Sequence, residues 1–340
     1  MSVPPLTVLV TGGAGYIGSH TTHQLLAAGH QVSVVDTLYS GHRWAVPDTA
    51  DFHQLDAGDP GAMTALMRER HFDAVIHFAG HIVVPESVAN PAKYYHNNVV
   101  ASLNLIECCQ QANIGLFVFS SSAAVYGNPQ TVPISEDATP NPINPYGRTK
   151  LMTEWTLQDL ARRTQSGDPL RYVALRYFNV AGARLDGKLG QATPAATHLI
   201  KVACEAACGQ RESVSIFGTD YDTTDGTCIR DYIHVEDLAS AHLQALDYLA
   251  AGGEPSILNC GYGHGYSVRE VLDTVRYVSQ TDLVIRETAR RAGDPACLVS
   301  DNRAIRKVLG WQPRYNDLKL ICSTALSWER GGNRPDTKTG

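Results

Sequence analysis

A tyrosine and a lysine stand four residues apart in the segment NPYGRTK, as Tyr146 and Lys150. On a helix this spacing puts both side chains on one face. A cation beside a phenol stabilises the phenolate, so Tyr146 can act as a base nearer neutral pH than its reference pKa of about 10. Upstream, Ser120, Ser121 and Ser122 close an apolar strand in GLFVFSSS, and a serine hydroxyl can donate to, or relay a proton from, a reacting oxygen. The combination predicts proton transfer at a substrate hydroxyl, whereas the pair alone could be a packed tyrosine and a solvated lysine.

A glycine-rich turn precedes these residues in VLVTGGAGYIGSH, where Gly12, Gly15 and Gly18 follow a predicted strand and open a predicted helix. That context is typical of dinucleotide binding. Gly12 permits a tight turn, Gly15 lets the backbone approach a pyrophosphate, and Gly18 lets helix pack on strand. The helix N-terminus offers unpaired N–H groups to the phosphates. The alternative is a glycine turn without a ligand.

Two aspartates further along could contact such a cofactor. Asp36 ends the second predicted strand, at the distance expected of a carboxylate that accepts both adenosine ribose hydroxyls and repels a 2′-phosphate. It therefore favours NAD over NADP, although an aspartate there could also cap a turn. Asp56, in HQLDAGD, could bind the adenine amine or cap the helix that starts near Pro60.

The elements that must position these residues alternate along the first half of the chain. The predicted strands are Leu6–Thr11, Gln31–Asp36, Ala74–Phe78, Leu116–Ser120 and Tyr172–Leu175, and the predicted helices are Ile17–Ala28, Pro60–Arg70, Pro91–Ala112 and Tyr146–Arg163. Alternating strands and helices predict an α/β fold with a doubly wound parallel sheet (Rossmann type).

The pattern loosens after about residue 176, which predicts a smaller, loop-rich C-terminal substrate lobe. Helices are predicted at Pro194–Cys208, Val235–Ala250, Val268–Val278 and Asn316–Trp328. We predict a cofactor domain over 1–176, a mainly substrate-binding lobe over 177–330 and a flexible tail over 331–340. Segments near 228–260, namely Cys228–His234 and Ile257–Cys260, could rejoin the main sheet.

Composition narrows the class of protein. The chain has 340 residues, a net charge of −6, 44% hydrophobic residues and 18% charged residues. Such a chain can bury a core, and its scattered Lys and Arg residues disfavour nucleic-acid binding. We also expect no membrane span, no export signal and therefore a cytoplasmic location with reduced cysteines. The cysteine and histidine spacings predict no metal site.

Several further segments carry a resemblance to a known family. They are, in order, TGGAGYIGSH, VIHFAG, PESV with YYHNNV, FSSSAAVYG, NPYGRTK, RYFNVAGA, GTDYDTTDGTCIRDYIHVEDLA and RRAGDP. From about Val8 to Trp328 the chain resembles the extended short-chain dehydrogenases/reductases, specifically the UDP-galactose/UDP-glucose 4-epimerases. Related sugar-nucleotide 4,6-dehydratases carry an acid pair after the serine strand, where this chain has Ser122, Ala123 and Ala124. The resemblance thus implies epimerisation rather than dehydration.

The resemblance implies a mechanism with tightly bound NAD that is not consumed. Tyr146 would take the proton of the sugar 4′-hydroxyl while hydride leaves C4′. Ser122 would assist, and Lys150 would hold the cofactor ribose and tune Tyr146. The 4-keto sugar would then rotate and be reduced on its other face, which interconverts UDP-glucose and UDP-galactose.

The resemblance also implies two sets of contact residues. The cofactor contacts would be Gly12, Gly15, Tyr16, Ile17, Gly18, Asp36, Asp56, Ala57, Phe78, Ala79, Gly80, Asn97, Ser120, Tyr146, Lys150 and Tyr177. The substrate contacts would be Ser122, Tyr146, Phe178, Asn179, His198, Leu199, Phe217, Arg230, Arg291, Asp294 and Leu298. Each has a structural alternative: an ion pair for either arginine, a turn for Asn179 or Asp294, core packing for Tyr177 or Phe178, and a polar helix position for Asn97.

The sequence departs from the family pattern at three positions. Ile82 stands where some members have lysine, and His198 where asparagine is frequent. Leu298 stands at the position thought to gate substrate size, where a large aromatic residue would narrow the sugar pocket. We therefore expect that N-acetylated UDP-hexoses are also accepted, unless Leu298 simply packs in a reshaped pocket.

Two other functions remain open from sequence. The same machinery would serve a UDP-pentose or UDP-uronate 4-epimerase, and a non-catalytic NAD-sensing protein could share the fold. The sensor is disfavoured because Tyr146 and Lys150 are both present. The family also implies a homodimer in which the helices around Pro91–Ala112 and Tyr146–Arg163 form a four-helix bundle.

Overall fold

The structure, a computed structural model, describes residues 4–162, 170–194, 196–291 and 294–331. The chain divides into two compact units that alternate along the sequence. Unit 1 comprises Met1–Tyr126, Pro140–Arg176 and Ala239–Leu258, and unit 2 comprises Gly127–Thr139, Tyr177–Leu238 and Asn259–Gly340. Of the tail predicted over 331–340, all but the first residue lies outside the described residues, as do Arg163 and Ala195.

The strands in chain order are β1 (Thr7–Thr11), β2 (Gln31–Val35), β3 (Asp51–His53), β4 (Ala74–His77), β5 (Leu116–Ser122), β6 (Arg171–Tyr177), β7 (Asn179–Ala181), β8 (Val214–Phe217), β9 (Ile229–Arg230), β10 (Tyr232–His234), β11 (Ser256–Cys260), β12 (Tyr266–Ser267), β13 (Ile285–Thr288) and β14 (Cys297–Leu298). The α-helices are α1 (Tyr16–Ala27), α2 (Pro60–Glu69), α3 (Val84–Ala89), α4 (Pro91–Tyr94), α5 (Ala101–Gln111), α6 (Pro145–Ala161), α7 (Leu199–Ala207), α8 (Val235–Ala250), α9 (Val268–Ser279), α10 (Arg303–Leu309) and α11 (Leu318–Glu329). Short 3₁₀ turns span Arg43–Ala45 and Ala123–Val125, and a π-helical turn spans Tyr95–Val100.

A seven-stranded sheet in the order β11-β6-β5-β4-β1-β2-β3 forms the frame of unit 1. Its strands from β3 through β5 are paired in parallel, with Val8 opposite both Val32 and Ala74. The strand order reverses between β1 and β4, and in doubly wound sheets ligands bind at the carboxyl ends of strands at such a switch point. The predicted doubly wound α/β fold is therefore confirmed.

The sheet is buried because its central strands are almost continuously apolar. Val8, Leu9 and Val10 of β1 have no exposed surface, and Phe117 of β5 is equally buried. Helices α2 and α5 contribute Met63 and Leu105, among others, to one apolar cluster with these strands. This packing fixes the strand ends from which the site is built.

Unit 2 is built around small sheets and three helices. Strand β10 pairs with β7, β9 lies between β12 and β14, and β13 pairs with β8. Helices α7, α9 and α11 pack on one another. The prediction that the strand near 257–260 rejoins the main sheet is confirmed, since β11 is its edge strand.

The companion prediction for Cys228–His234 is wrong. This segment is split at Asp231 into β9 and β10, which join two different small sheets. The buried Asp231 carboxylate accepts hydrogen bonds from the N–H groups of Tyr262, Gly263 and Ser300. These bonds hold the chain in a bend between the two strands, which a propensity argument cannot foresee.

Two predicted helices differ in the structure. Pro91–Ala112 is not one α-helix but α4 and α5 joined by the π-helical turn. The helix predicted at Pro194–Cys208 begins only at Leu199, because His198 has an extended backbone, with a ψ of 129°. The other predicted helices are confirmed to within about two residues at the described positions.

Candidate active site

The glycine turn lies at the carboxyl end of β1, where the sheet order reverses. The Gly12 N–H donates to Val35 O at 2.8 Å, and Gly12 has a φ of +73°, a conformation that favours glycine. A Cβ on Gly12 would lie 2.6 Å from the Ala79 backbone nitrogen, which follows β4. Gly15 is the N-cap of α1, and Gly18 packs so closely on Gly12 that a side chain would collide with its carbonyl oxygen. The turn thus presents bare backbone at a helix N-terminus and fits a pyrophosphate.

Asp36 follows β2 and faces the same turn. Its carboxylate accepts hydrogen bonds from the Ala14 N–H at 3.0 Å and the Leu38 N–H at 2.8 Å. Burial raises the pKa of Asp36, and these two bonds and His42 oppose the rise. The carboxylate offers about four acceptor positions, so it can brace the turn and still receive ribose hydroxyls. Its role as a ribose contact stays a prediction.

Asp56 does not cap helix α2. The cap is Asp59, whose side chain accepts from the N–H groups of Gly61 and Ala62. Asp56 instead accepts from the Gly58 N–H at 2.8 Å. The helix-cap alternative for Asp56 is therefore wrong, and its predicted contact with adenine, like that of the neighbouring Ala57, stays a prediction.

The segment after β4 runs beside the end of β1. The N–H groups of Phe78 and Ala79 both donate to Thr11 O, at 2.9 and 3.1 Å. A Cβ on Gly80 would lie 3.3 Å from Asn98 Oδ1 and 3.8 Å from Lys150 Nζ. The predicted cofactor contacts Phe78, Ala79 and Gly80 are thus brought close to the glycine turn and to Lys150.

Asn97 and Asn98 lie on the π-helical turn, and Asn98 is the one that sequence reasoning missed. Buried Asn98 accepts from the His81 N–H at 2.8 Å and donates to His81 O at 2.9 Å and to Thr149 Oγ1 at 3.2 Å. Asn97 donates to Asn98 Oδ1 at 3.0 Å. The adjacent asparagines in a helical segment were the available signal, because buried amides need partners.

Helix α6, which carries Tyr146 and Lys150, begins beside the serine strand. Asn144 caps it by accepting from the Gly147 N–H at 2.8 Å, and Pro145 occupies the first turn. A Cβ on Gly147 would lie 2.5 Å from Ala124 O, so the helix can approach the strand end only with glycine there. This close approach brings Tyr146 and Lys150 to the end of β5.

The three predicted catalytic residues are brought together. Lys150 Nζ donates to Ser120 O at 2.8 Å, and the Tyr146 side chain is hydrogen-bonded to Ser122. Lys150 Nζ lies 6.0 Å from the centroid of the Tyr146 ring and 5.0 Å from that of Phe119. Tyr146 and Lys150 are 7% and 3% exposed, so both groups are held away from water in fixed positions.

Burial dominates the protonation of this pair. It lowers the pKa of Lys150 to about 8, against the opposing charge of Glu154. It also raises the pKa of Tyr146, and the hydrogen bond from Ser122 only partly offsets this. The lowered Tyr146 pKa that the spacing predicts does not arise from the chain alone, because burial has the larger effect.

Apart from Ser122 and Tyr146, which lie in unit 1, the predicted substrate contacts lie in unit 2, where they fall into small groups. Arg230 of β9 is the register partner of Leu298 of β14, and its Nη1 donates to Ile229 O. Arg291 stacks on Phe217, with its guanidinium carbon 3.5 Å from the ring centroid. Asp294 donates its N–H to Arg291 O at 3.3 Å.

The remaining predicted contacts are found at element ends. Tyr177 closes β6, and Asn179 opens β7, with its N–H donating to Asp231 O at 2.9 Å. Buried Phe178 lies between them. His198, which precedes Leu199 at the start of α7, bonds the Gln191 side chain through Nδ1 at 2.9 Å. Their roles toward a ligand stay predictions.

Tyr16 and Ile17, the other two predicted cofactor contacts, form the first turn of α1 directly after Gly15. Within the described ranges, no group of three or more His, Cys, Asp or Glu side chains could hold a metal ion. None of the eight cysteines, all of which lie in the described ranges, forms a disulfide bond. None of the helices described here combines the length and apolar character needed to cross a membrane.

Comparison with known proteins agrees with this geometry. The sequence model of the "NAD dependent epimerase/dehydratase family" matches residues 8–261. The chain is 54% identical over 323 residues to the UDP-glucose 4-epimerase of Azospirillum brasilense, covering 95% of this chain and 92% of that protein.

Two solved structures extend the similarity to three dimensions. A UDP-glucose 4-epimerase from Brucella ovis in complex with NAD has a TM-score of 0.90 at 44% identity, covering 94% of this chain and 97% of that one. The UDP-Glc/GlcNAc 4-epimerase from Campylobacter jejuni has a TM-score of 0.84 at 50% identity, covering 96% and 99%. The chain belongs to the NAD dependent epimerase/dehydratase family.

Proposed function

We propose that the protein interconverts UDP-glucose and UDP-galactose by epimerisation at C4′, with NAD retained between turnovers. The observation that supports this most is the fixed arrangement of Tyr146, Ser122 and Lys150 in the same unit as the glycine turn. Relatives that carry the activity in their names match nearly the whole chain at 54% and 44% identity.

The chain's own contribution is a proton relay and a cation. Tyr146 accepts the proton of the 4′-hydroxyl as the C4′–H bond breaks, and returns it when the C–H bond forms again. Ser122, hydrogen-bonded to Tyr146, donates to the reacting sugar oxygen. Lys150 supplies positive charge that stabilises the Tyr146 phenolate, the form that accepts the proton.

NAD fits the residues at the sheet's switch point. The bare backbone at Gly12 and Gly15 would hold the pyrophosphate, and Asp36 would receive the adenosine ribose. Lys150 and Asn97 would contact the nicotinamide half. When bound, NAD accepts a hydride from C4′ and returns it, so the reaction needs no external oxidant.

The substrate would be held by its nucleotide. Arg230 and Arg291 carry the guanidinium forks that suit diphosphate oxygens, and Asp294 would receive the uridine ribose. A firm hold on the diphosphate leaves the hexose free to turn, which exchange between two epimers requires.

N-acetylated UDP-hexoses belong to the same proposal. Leu298 is the register partner of Arg230, which puts a small aliphatic side chain beside a proposed diphosphate contact. The Campylobacter jejuni relative, named for UDP-Glc and UDP-GlcNAc, is 50% identical to this chain. A leucine there leaves room for a 2′-acetamido group that an aromatic ring would exclude.

We further propose a cytoplasmic homodimer built from α5 and α6. Val100, Leu103 and Trp155, from the π-helical turn and these two helices, are 46%, 39% and 52% exposed. Large apolar side chains grouped on adjacent helices are typical of a subunit interface. Light scattering should give twice the monomer mass of 36.9 kDa.

Incubation of the purified protein with UDP-galactose, without added NAD, tests the activity. Formation of UDP-glucose supports both the reaction and the retained cofactor. No conversion even after NAD is supplied would refute the proposal. Parallel incubations with a UDP-pentose and a UDP-uronate would then identify the alternative substrate class.

A further inference from the structure

A buried ion pair lies one helical turn beyond Lys150. Glu154 is fully buried, and Arg176 of β6 contacts both of its carboxylate oxygens at 2.6 to 3.2 Å. The Ser121 hydroxyl donates to Glu154 Oε1 at 2.5 Å. Arg176 also donates to Tyr126 Oη at 2.9 Å and stacks on the Tyr126 ring. The carboxylate is therefore held on several sides by charged and polar partners.

Glu154 is one of three residues of α6 that form hydrogen bonds with the end of β5. Ser122 contacts Tyr146, Ser120 accepts from Lys150, and Ser121 donates to Glu154. Three consecutive serines of β5 thus engage three residues of α6 that are spaced four apart and share one helix face. Of these three residues, Glu154 has the strongest hydrogen bonds, because its partners include the guanidinium group of Arg176.

Several titratable groups surround Lys150. Tyr146 and Glu154 face it from its own helix, and His77 faces it from β4. Arg176 of β6 stands behind Glu154. The uncharged neighbours are Ser120, Phe119, Asn98 and Gly80. Glu154 is thus the anion that acts on Lys150, and it opposes the desolvation that favours the neutral amine.

A buried ion pair is a costly way to hold a helix, since well-packed apolar side chains serve as well without desolvation. Glu154 also lies one helical turn from the buried Lys150 ammonium, so its charge can act on Lys150 as well as hold the helix. We infer that Glu154 is a positioning residue for Lys150, an inference that rests on the function proposed above. Its bonds to Ser121 and Arg176 fix the position of α6 relative to the serine strand, and its negative charge keeps Lys150 cationic.

The test compares Glu154→Gln with Glu329→Gln. Glutamine has nearly the shape of Glu154 but removes its charge, and only its amide oxygen can still accept from Ser121 or Arg176, because the amide nitrogen is a donor. Glu329, also buried, pairs with Lys201 at 2.8 Å in unit 2, so its variant removes a matched buried carboxylate that is paired with a different lysine. We expect the alkaline limb of kcat to move down by about one pH unit in Glu154→Gln and to stay in place in Glu329→Gln.

A second readout is independent of turnover. In protein labelled with ¹³C-lysine, the Cε resonance of Lys150, assigned by its absence in Lys150→Met, should titrate about one pH unit lower in Glu154→Gln than in wild type. Ser121→Ala keeps the charge and removes one bond to Glu154. This variant should lower kcat but leave the alkaline limb of its pH profile unchanged. It therefore distinguishes the effect of helix position from the effect of the Glu154 charge.

Equal titration of Lys150 in wild type and Glu154→Gln, with the same alkaline limb, would overturn the inference. A similar shift in Glu329→Gln would overturn it as well, because any lost carboxylate would then suffice. A wild-type protein that fails to epimerise UDP-galactose would refute the proposed function instead, and the NMR titration would still decide the electrostatic claim. If Glu154→Gln does not fold, Ser121→Ala with wild-type kcat would refute the positioning role.

Discussion

Lys150 Nζ donates a 2.8 Å hydrogen bond to the carbonyl oxygen of Ser120, and this bond fixes a buried cation at the end of the serine strand. The bond determines where the positive charge sits relative to the Tyr146 ring, 6.0 Å away at its centroid. The chain alone leaves the pKa of Tyr146 raised by burial. A positively charged cofactor beside the phenol would therefore supply the remaining stabilisation of the phenolate.

Replacing Tyr146 by Phe should abolish most of the activity without loss of fold. The variant removes the phenolic oxygen that we propose as the proton acceptor, and general acid–base groups contribute about 10²–10⁴-fold to rate. We expect kcat for UDP-galactose to fall by that factor while bound NAD, measured after denaturation by chromatography, stays at the wild-type ratio. Activity within threefold of wild type would assign the proton transfer to another group.

Gly12→Ala should prevent cofactor binding, and Gly209→Ala provides a matched control. Both glycines have nearly the same backbone, with φ of +73° and +72°. A Cβ on Gly12 would lie 2.6 Å from the Ala79 nitrogen, whereas a Cβ on Gly209 meets nothing described within 4 Å. Gly209→Ala should cost only the left-handed strain of about 1 kcal/mol, and Gly12→Ala more than about 3 kcal/mol once the clash is added.

Urea unfolding and the NAD content of the two purified variants measure these effects. The expected pattern is a retained cofactor in Gly209→Ala and a cofactor-free, destabilised protein in Gly12→Ala. Equal losses of stability in both variants would mean that backbone strain, and not the approach of Ala79, makes glycine necessary at the turn.

Buried His77 should make the fold sensitive to acid. Its ring bonds Thr11 Oγ1 through Nδ1 at 2.6 Å and Ser102 Oγ through Nε2 at 2.8 Å. Burial, with the nearby Lys150 charge, lowers the pKa of His77 to about 3. Between the unfolded pKa of about 6.5 and this value, the unfolded chain binds a proton that the folded chain does not. The contribution of His77 to stability is therefore full above pH 6.5 and decreases as the pH falls.

The variant His77→Asn isolates this effect. From pH 6.5 to 4.5, wild type should lose about 2–3 kcal/mol more of its unfolding free energy than the variant, as measured by urea titration at both pH values. His71→Asn is the control, because the His71 side chain is 81% exposed. Identical acid losses in wild type and His77→Asn would show that the ring is protonated inside the fold.

Local patterns predicted the parts of the site that depend on local geometry. The glycine turn, the serine-ended strand and the spacing of Tyr146 and Lys150 each follow from nearest neighbours in sequence. The alternation of strands and helices predicted the doubly wound sheet, because the spacing of apolar residues along a strand differs from that along a helix. Helix α6 begins with an Asn144 cap and with Pro145 in its first turn, and these local signals agree with the helix predicted from Tyr146.

Long-range partners explain what the sequence could not predict. Glu154 reads as an ordinary helix residue until Arg176, 22 residues away, buries its charge. Asp231 looks like a strand residue, yet its carboxylate is satisfied by backbone groups 31, 32 and 69 residues distant and so ends the strand. Asn98 likewise depends on His81 and Thr149. Such partners come from tertiary structure, and no local propensity encodes them.

Leu298→Tyr should narrow the range of sugars that the protein accepts. Leu298 lies in strand β14 beside Arg230, for which we propose a diphosphate contact, and we expect a larger side chain there to narrow the pocket for the attached sugar. One extra or missing methylene in an apolar pocket changes discrimination by about 10- to 200-fold, and the change from leucine to tyrosine adds a larger group than that. We expect kcat/KM for UDP-N-acetylglucosamine to fall by at least such a factor in the variant, while kcat/KM for UDP-galactose changes less than threefold.

The control variant Leu298→Met, which keeps the side-chain volume, should retain both activities. Loss of both activities in Leu298→Tyr would mean that residue 298 packs the fold instead of lining the sugar pocket, and a wild-type protein inactive on the acetylated sugar would remove the role of Leu298 in substrate breadth.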